Sequence, residues 1–139
     1  MKVLFICKGN IGRSQMARAL FDKFSKEKSD SAGTKVPLEA INSNLGDFSP
    51  AENVIKVMKE EGIDLTQKRP KQLTKILVDS SQIIISLTSK EDLPDFLEEN
   101  KKVKYFELDN PKGYDLENTR RVKNQIKVLV KDLIKKLKL

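Results

Sequence analysis

The stretch Val3-Leu4-Phe5-Ile6-Cys7-Lys8-Gly9-Asn10-Ile11-Gly12-Arg13-Ser14 decides the fold. Val3 to Ile6 is a continuous apolar run of the kind buried on both faces of a parallel sheet. Beyond Ser14, residues Ala17, Leu20, Phe21 and Phe24 share one face of a helix. The turn between strand and helix carries Gly9 and Gly12, which let the backbone curl tightly. Successive amide N–H groups can then point inward as a nest for an anion, reinforced by the positive end of the helix.

Outward from this unit, apolar runs alternate with helical patterns. Ser49-Pro50-Ala51-Glu52 predicts a helix start, with serine as cap, proline in the first turn and glutamate returning to the cap. Val54, Val57 and Met58 follow, and Gly62 ends that helix. Ile83-Ile84-Ile85 predicts a second buried strand and Val103-Lys104-Tyr105-Phe106 a third, with Ser89 capping a short helix through Leu97 between them. Val122, Ile126, Leu129, Val130, Leu133 and Leu137 recur at helical spacing near the C-terminus. Strands alternating with helices imply right-handed crossovers. The expectation is one α/β domain over residues 1–139, a central parallel sheet with helices on both faces and a phosphate-binding loop after the first strand.

Composition narrows the chemistry. The 139 residues contain no histidine and one cysteine, Cys7. Ser-His-Asp triads, Cys-His dyads, histidine-ligated metals, multi-thiolate zinc sites and an intramolecular disulfide are thereby excluded. Chemistry based on carboxylates, lysine or that one thiol survives, and neither metal nor cofactor is expected. No apolar stretch approaches the ~20 residues of a membrane span, and Met1 to Ile6 is too short for a signal peptide, so a cytoplasmic location is expected. The net charge of +7 falls entirely within residues 118–139, where eight basic side chains face Asp132 alone. There Lys123, Lys127, Lys131, Lys135 and Lys138 interrupt the apolar positions, which predicts a solvated outer face. Nucleic acid is not expected as a partner, because no aromatic residue is interleaved to stack on bases.

Within the glycine-containing turn, Arg13 follows Cys7 by six residues, placing its planar fork across the loop from the thiol to grip two oxygens of a tetrahedral oxyanion. Cationic surroundings favour an ionised, nucleophilic sulfur. Ser14 is placed to donate a hydrogen bond to that sulfur, and Asn10 to tolerate the left-handed backbone the loop requires. Lys8, Gly9, Asn10, Ile11, Gly12, Arg13 and Ser14 are the candidate phosphate-binding residues, with Cys7 and Arg13 catalytic.

The sequence resembles the low-molecular-weight protein tyrosine phosphatases, which share a fold with thioredoxin-coupled arsenate reductases. The Cys-x5-Arg-Ser loop ending the first strand is that family's signature, and Cys7 to Ser14 matches it. The resemblance extends to Ser31-Ala32-Gly33-Thr34, the stretch from Val54 to Leu65, and Leu108 to Val122. It implies metal-free hydrolysis of a phosphate monoester through a cysteinyl-phosphate, with a phosphorylated protein or a small phosphomonoester as substrate. The family's general acid is an aspartate immediately before a proline. Here Asn110 precedes Pro111, and Asp109, one position upstream, is assigned the acid role. The aromatic candidates for a pocket wall are Phe48 and Tyr114. Ser14-Gln15-Met16-Ala17 looks equally like the arsenate reductases, but Ser86-Leu87-Thr88-Ser89 holds no resolving thiol, so reduction would need an external one. A non-catalytic oxyanion-binding module is the third reading.

Overall fold

Two crossovers in opposite directions build the sheet. In the computed structural model, which describes residues 2–97, 99–108 and 115–138, β1 (Val3–Cys7) leads through α1 (Arg13–Phe24) to β2 (Ser29–Gly33) on one side. After α2 (Leu38–Ile41), α3 (Glu52–Glu60) and α4 (Lys75–Asp79), the chain returns on the other side of β1 as β3 (Ile83–Ser86). It then continues through β4 (Val103–Tyr105) into α5 (Leu116–Leu137). The strand order is β2-β1-β3-β4 and every pairing is parallel. Connections leave β1 and β3 in opposite directions, so a crevice opens at their carboxyl ends, where such sheets bind ligands. Cys7 is the last residue of β1.

Strand alternation divides the core into two layers. Val3, Phe5 and Cys7 face the layer formed with α1, α3 and α5, whereas Leu4 and Ile6 face a smaller layer closed by Leu73, Val78, Leu93 and Leu97. Phe5 and Phe21 meet edge to face, with centroids 5.7 Å apart. Truncating either to alanine is expected to cost about 3–5 kcal/mol.

β2 is a strand its composition does not announce, since Ser29-Asp30-Ser31-Ala32-Gly33 has almost no β-branched or aromatic character. It forms because its backbone pairs in register with β1 from Val3↔Ser29 to Cys7↔Gly33. Gly33 is required at the end of this pairing. A Cβ there would lie 2.7 Å from the Lys8 carbonyl oxygen and 2.9 Å from the Asn10 nitrogen.

Helix ends depart from expectation in two places. Ser49-Pro50-Ala51 forms a single 3-10 turn, α3 begins only at Glu52, and no side chain caps it. Instead of one helix after Ser89, there are two 3-10 turns, Lys90–Asp92 and Asp95–Leu97. Leu93 between them is extended (φ −82°, ψ 142°), the conformation Pro94 imposes on its predecessor. Ser89 Oγ donates to the Asp92 carboxylate at 3.1 Å rather than capping backbone. Gly62, at φ +77°, terminates α3 as its sequence suggests, with Gly62 N–H bonded to Lys59 O at 2.9 Å and Ile63 N–H to Met58 O at 3.0 Å.

The lysine stripe of α5 is also not simply a solvated face. Lys123 is 4% exposed and donates to Glu61 Oε2 at 2.8 Å, while Lys127 donates to Glu61 Oε1 at 2.8 Å. Lys131 lies 4.7 Å above the Phe24 ring, and Arg120 grips Glu60 with two hydrogen bonds of 2.9 and 2.6 Å. The side-chain hydrogen bonds from Lys123 and Lys127 hold the Glu61 carboxyl down to about 2. Arg120, Lys123 and Lys127 thus fasten α5 to the end of α3, and Lys131 meets the end of α1. Among the described residues, no helix is long and apolar enough to cross a membrane.

Candidate active site

The loop after β1 is built around Asn10. Asn10 is fully buried and has φ +53°, a left-handed conformation that asparagine tolerates better than most residues. This conformation turns the Asn10 backbone N–H back onto Cys7 Sγ at 3.3 Å. The Asn10 side-chain Oδ1 accepts from the Lys71 backbone N–H at 2.9 Å. A backbone N–H can only donate, so the amide orientation is settled and Nδ2 is the atom donating to Ser14 Oγ at 2.7 Å. Ser14 Oγ lies 3.0 Å from Cys7 Sγ, and toward an ionised sulfur, which can only accept, the hydroxyl is the donor of this pair. An ionised sulfur here would face two donors, the Ser14 hydroxyl and the Asn10 N–H, an arrangement suited to a nucleophile and leaving group that carries charge.

Arg13 is the first residue of α1 and is buried. Its Nη1 donates to the carbonyls of Leu87 at 2.9 Å and Leu108 at 3.1 Å, which fixes the guanidinium plane between the ends of two strands. Its Nε is buried and meets no partner among the described residues. The first turn of α1 contains no acidic residue, and its N-cap, Gly12, contributes no side-chain bond. The unsatisfied amides and positive end of α1 are thus available to an anion.

A cleft of about 170 Å³ opens here, lined by Cys7, Lys8, Gly9, Ile11, Gly12, Arg13, Lys35 and Pro37. That is well under the ~300–1,000 Å³ of sites that enclose a whole drug-sized ligand, so the cleft has room for a group of phosphoryl size and not for a large ester. A larger but shallow depression, about 660 Å³, runs along α5 beside Glu117, Arg121 and Gln125 and includes none of the loop residues.

The structure joins Cys7, Asn10 and Ser14 in one hydrogen-bonded unit, and Arg13, held separately by the Leu87 and Leu108 carbonyls, lines the same cleft with Lys8, Gly9, Ile11 and Gly12. Asp109, Asn110 and Tyr114 lie outside the described residues. Phe48 is partly buried against the core and does not line the cleft.

Other contributors escaped sequence reasoning. Gln15 is 2% exposed and donates from Nε2 to Asn10 O and Asn10 Oδ1 at 3.2 Å, and to Arg69 O at 3.3 Å. The Lys71 amide orients Asn10 from 61 residues away, a distance that leaves no local signal. Lys35 and Pro37 form the far wall of the cleft. Their position follows from Gly33, since Thr34 N–H bonds Cys7 O at 2.9 Å and Lys35 N–H bonds Lys8 O at 2.8 Å. The segment Ser31-Ala32-Gly33-Thr34 was the available clue.

Comparison with known proteins agrees with this geometry. The family model for low molecular weight phosphotyrosine protein phosphatase matches residues 2–139. The "Glutaredoxin arsenate reductase" of Synechocystis is 30% identical over 137 residues, covering 98% of each chain. The "Putative arsenate reductase" of Halobacterium salinarum is 29% identical over 133 residues, 93% of this chain and 87% of that one. Among solved structures, the low molecular weight protein tyrosine phosphatase from T. tengcongensis superposes with a TM-score of 0.81 at 24% identity, covering 98% and 99% of the two chains. The chain belongs to the low molecular weight phosphotyrosine protein phosphatase family, a family of cysteine-dependent enzymes in which its curated relatives include arsenate reductases.

Proposed function

We propose that the protein hydrolyses phosphate monoesters through a phosphocysteine formed on Cys7. The observation that carries this reading is the convergence of Ser14 Oγ (3.0 Å) and Asn10 N–H (3.3 Å) on a sulfur that opens into the same cleft as Arg13. The loop amides and the Arg13 guanidinium hold the non-bridging oxygens. Cys7 Sγ attacks phosphorus opposite the ester oxygen, the P–S bond forms as the P–O bond breaks, and the leaving oxygen takes a proton from Asp109. Water then attacks the phosphocysteine and gives its proton to Asp109. The sulfur departs as thiolate onto Ser14 and Asn10 N–H, releasing inorganic phosphate.

Asp109 is the acid in this reading because Asn110, the residue before Pro111, cannot release a proton. Its neighbour Leu108 supports the assignment, having its carbonyl 3.1 Å from Arg13 Nη1. Asp109→Asn is expected to slow hydrolysis of phosphotyrosine by roughly 10²- to 10⁴-fold and that of an activated aryl phosphate far less. Asn110→Asp is expected to accelerate phosphotyrosine hydrolysis selectively. Equal effects on the two substrates would remove the acid assignment.

Hydrolysis of 4-nitrophenyl phosphate with a chelator present tests the whole reading. Turnover is expected in the wild type and none in Cys7→Ser. Turnover retained by the variant would exclude Cys7 as nucleophile, and turnover lost on chelation would require a metal.

Arsenate reduction is the second reading, favoured by the names of the curated relatives. The Ser86–Ser89 segment borders the site through the Leu87 carbonyl on Arg13, yet it offers hydroxyls and no thiol. An arsenate adduct on Cys7 would therefore have to be resolved by a separate thiol compound. Arsenite formation that depends on added glutathione, in an enzyme inert toward aryl phosphates, would favour this reading.

A further inference from the structure

We propose that the cleft selects substrates bearing a second anionic group beside the phosphoryl group, and that Lys35, with Lys8, recognises it. This rests on the hydrolase reading and adds the substrate class. A phosphoryl dianion in the cleft is already met by the Arg13 guanidinium, the loop amides and the positive end of α1. Two more cations nevertheless stand at the mouth. Lys8 and Lys35 both line the cleft and both are exposed. They lie on adjoining backbone segments, because Lys35 N–H donates to Lys8 O at 2.8 Å and Gly33 permits the close approach.

Neither ammonium has a hydrogen-bond or ion-pair partner among the described residues, and none of the described residues that line the cleft is acidic. Lys71, whose backbone N–H holds Asn10 of the same loop, is by contrast matched by Asp30 at 2.6 Å. The cleft holds little beyond the phosphoryl group, so whatever is esterified to it emerges between Lys8 and Lys35. Ile11 and Pro37, also among the described lining residues, offer apolar contact and carry no charge. A carboxylate or second phosphate on the emerging group fits this mouth. It can belong to a small phosphorylated acid or to acidic residues flanking a phosphorylated side chain.

The test compares 4-carboxyphenyl phosphate with its neutral isostere 4-carbamoylphenyl phosphate, in the wild type, Lys35→Gln and Lys35→Glu. The ratio of their kcat/KM values is the readout, and comparing it between variants cancels differences in leaving-group acidity. At low salt the wild-type ratio is expected to exceed that of Lys35→Glu by roughly three- to tenfold, as for exposed charge pairs, with the difference carried by KM. Lys35→Gln should fall between, and the difference should shrink at 0.5 M salt, an ionic strength of about the level that screens exposed charges over a few ångströms. A second arm sets a phosphotyrosine peptide with glutamate neighbours against one with alanine neighbours. Charge preference in this arm assigns the second anion to a protein substrate, and preference confined to the first arm assigns it to a small acid. Ratios that are the same in wild type and Lys35→Glu in both arms overturn the proposal. Turnover of no substrate at all overturns the hydrolase reading, and this inference with it.

Discussion

Two groups of cations in this protein have opposite fates. On α5, where the whole net charge of the sequence resides, Arg120, Lys123 and Lys127 are bonded to Glu60 and Glu61. Around the cleft, in a part of the chain whose formal charge cancels, Arg13 keeps Nε unpartnered among the described residues, and Lys8 and Lys35 stand without acids. Part of the abundant charge fastens helices, and the scarce charge at the cleft has no acid partner among the described residues. Net charge therefore says little about what this molecule binds. What decides is whether each cation already has an internal partner.

The contrast can be broken most severely at Arg13. Arg13→Lys keeps the charge but loses the fork that binds the Leu87 and Leu108 carbonyls while facing the cleft. Its kcat/KM for an aryl phosphate is expected to fall by roughly 10²- to 10³-fold, as when an oxyanion donor is lost. Lys127→Ala, on the other cationic region, should leave that rate within twofold. Comparable losses in the two variants would erase the distinction.

Gly33→Ala probes how the cleft is held together. Its Cβ would come within 2.7 Å of the Lys8 carbonyl oxygen, so the loop must move. A destabilisation of about 1–3 kcal/mol is expected from this overpacking, together with a drop in turnover that urea titration and steady-state kinetics would separate. Unchanged turnover would show that the close approach of β2 does not set the loop geometry.

Much of the fold was legible because β1 and α1 state their periods plainly and Gly62 marks an end that the structure uses. β2 was not, since its stability comes from pairing with β1 and from the absence of a side chain at Gly33, neither of which is a property of its own residues. In the site, Asn10 and Ser14 could be read from the loop itself, because they bond Cys7 and each other within it. Lys35, Pro37 and the Lys71 amide could not, because they act across gaps in sequence that only the folded chain closes. The α5 lysines were misread for a related reason. Helical spacing shows which residues share a face, and the carboxylates that face meets belong to another helix.

Smaller effects sharpen the structural half of the comparison. Lys123→Ala leaves Glu61 with Lys127 and removes a side chain that is 5% exposed. A loss of about 2 kcal/mol in urea unfolding is expected, less than the 3–5 kcal/mol for breaking a buried pair outright because one partner remains. Turnover should not change.

The Glu61 carboxyl, held down to about 2 from 4.5 by its bonds to Lys123 and then Lys127, ties stability to pH. A carboxyl lowered in the folded state stabilises it fully above its unfolded value. That contribution fades as pH falls from about 5 toward 2. The wild type should lose on the order of 1–2 kcal/mol more than Glu61→Gln across this window, a figure reduced below the full linkage value because Lys127 is partly solvated. Parallel stability curves for the two proteins would mean that Glu61 is not bonded as described.

In the proposed reaction, the sulfur of Cys7 forms a bond to phosphorus during turnover. Mixing the enzyme briefly with 4-nitrophenyl phosphate, quenching, and locating added mass by peptide analysis tests it directly. One phosphoryl group on the peptide containing Cys7, absent from the Cys7→Ala variant, is the predicted result. Steady turnover with no phosphoryl group on that peptide, or undiminished turnover in Cys7→Ala, would contradict it.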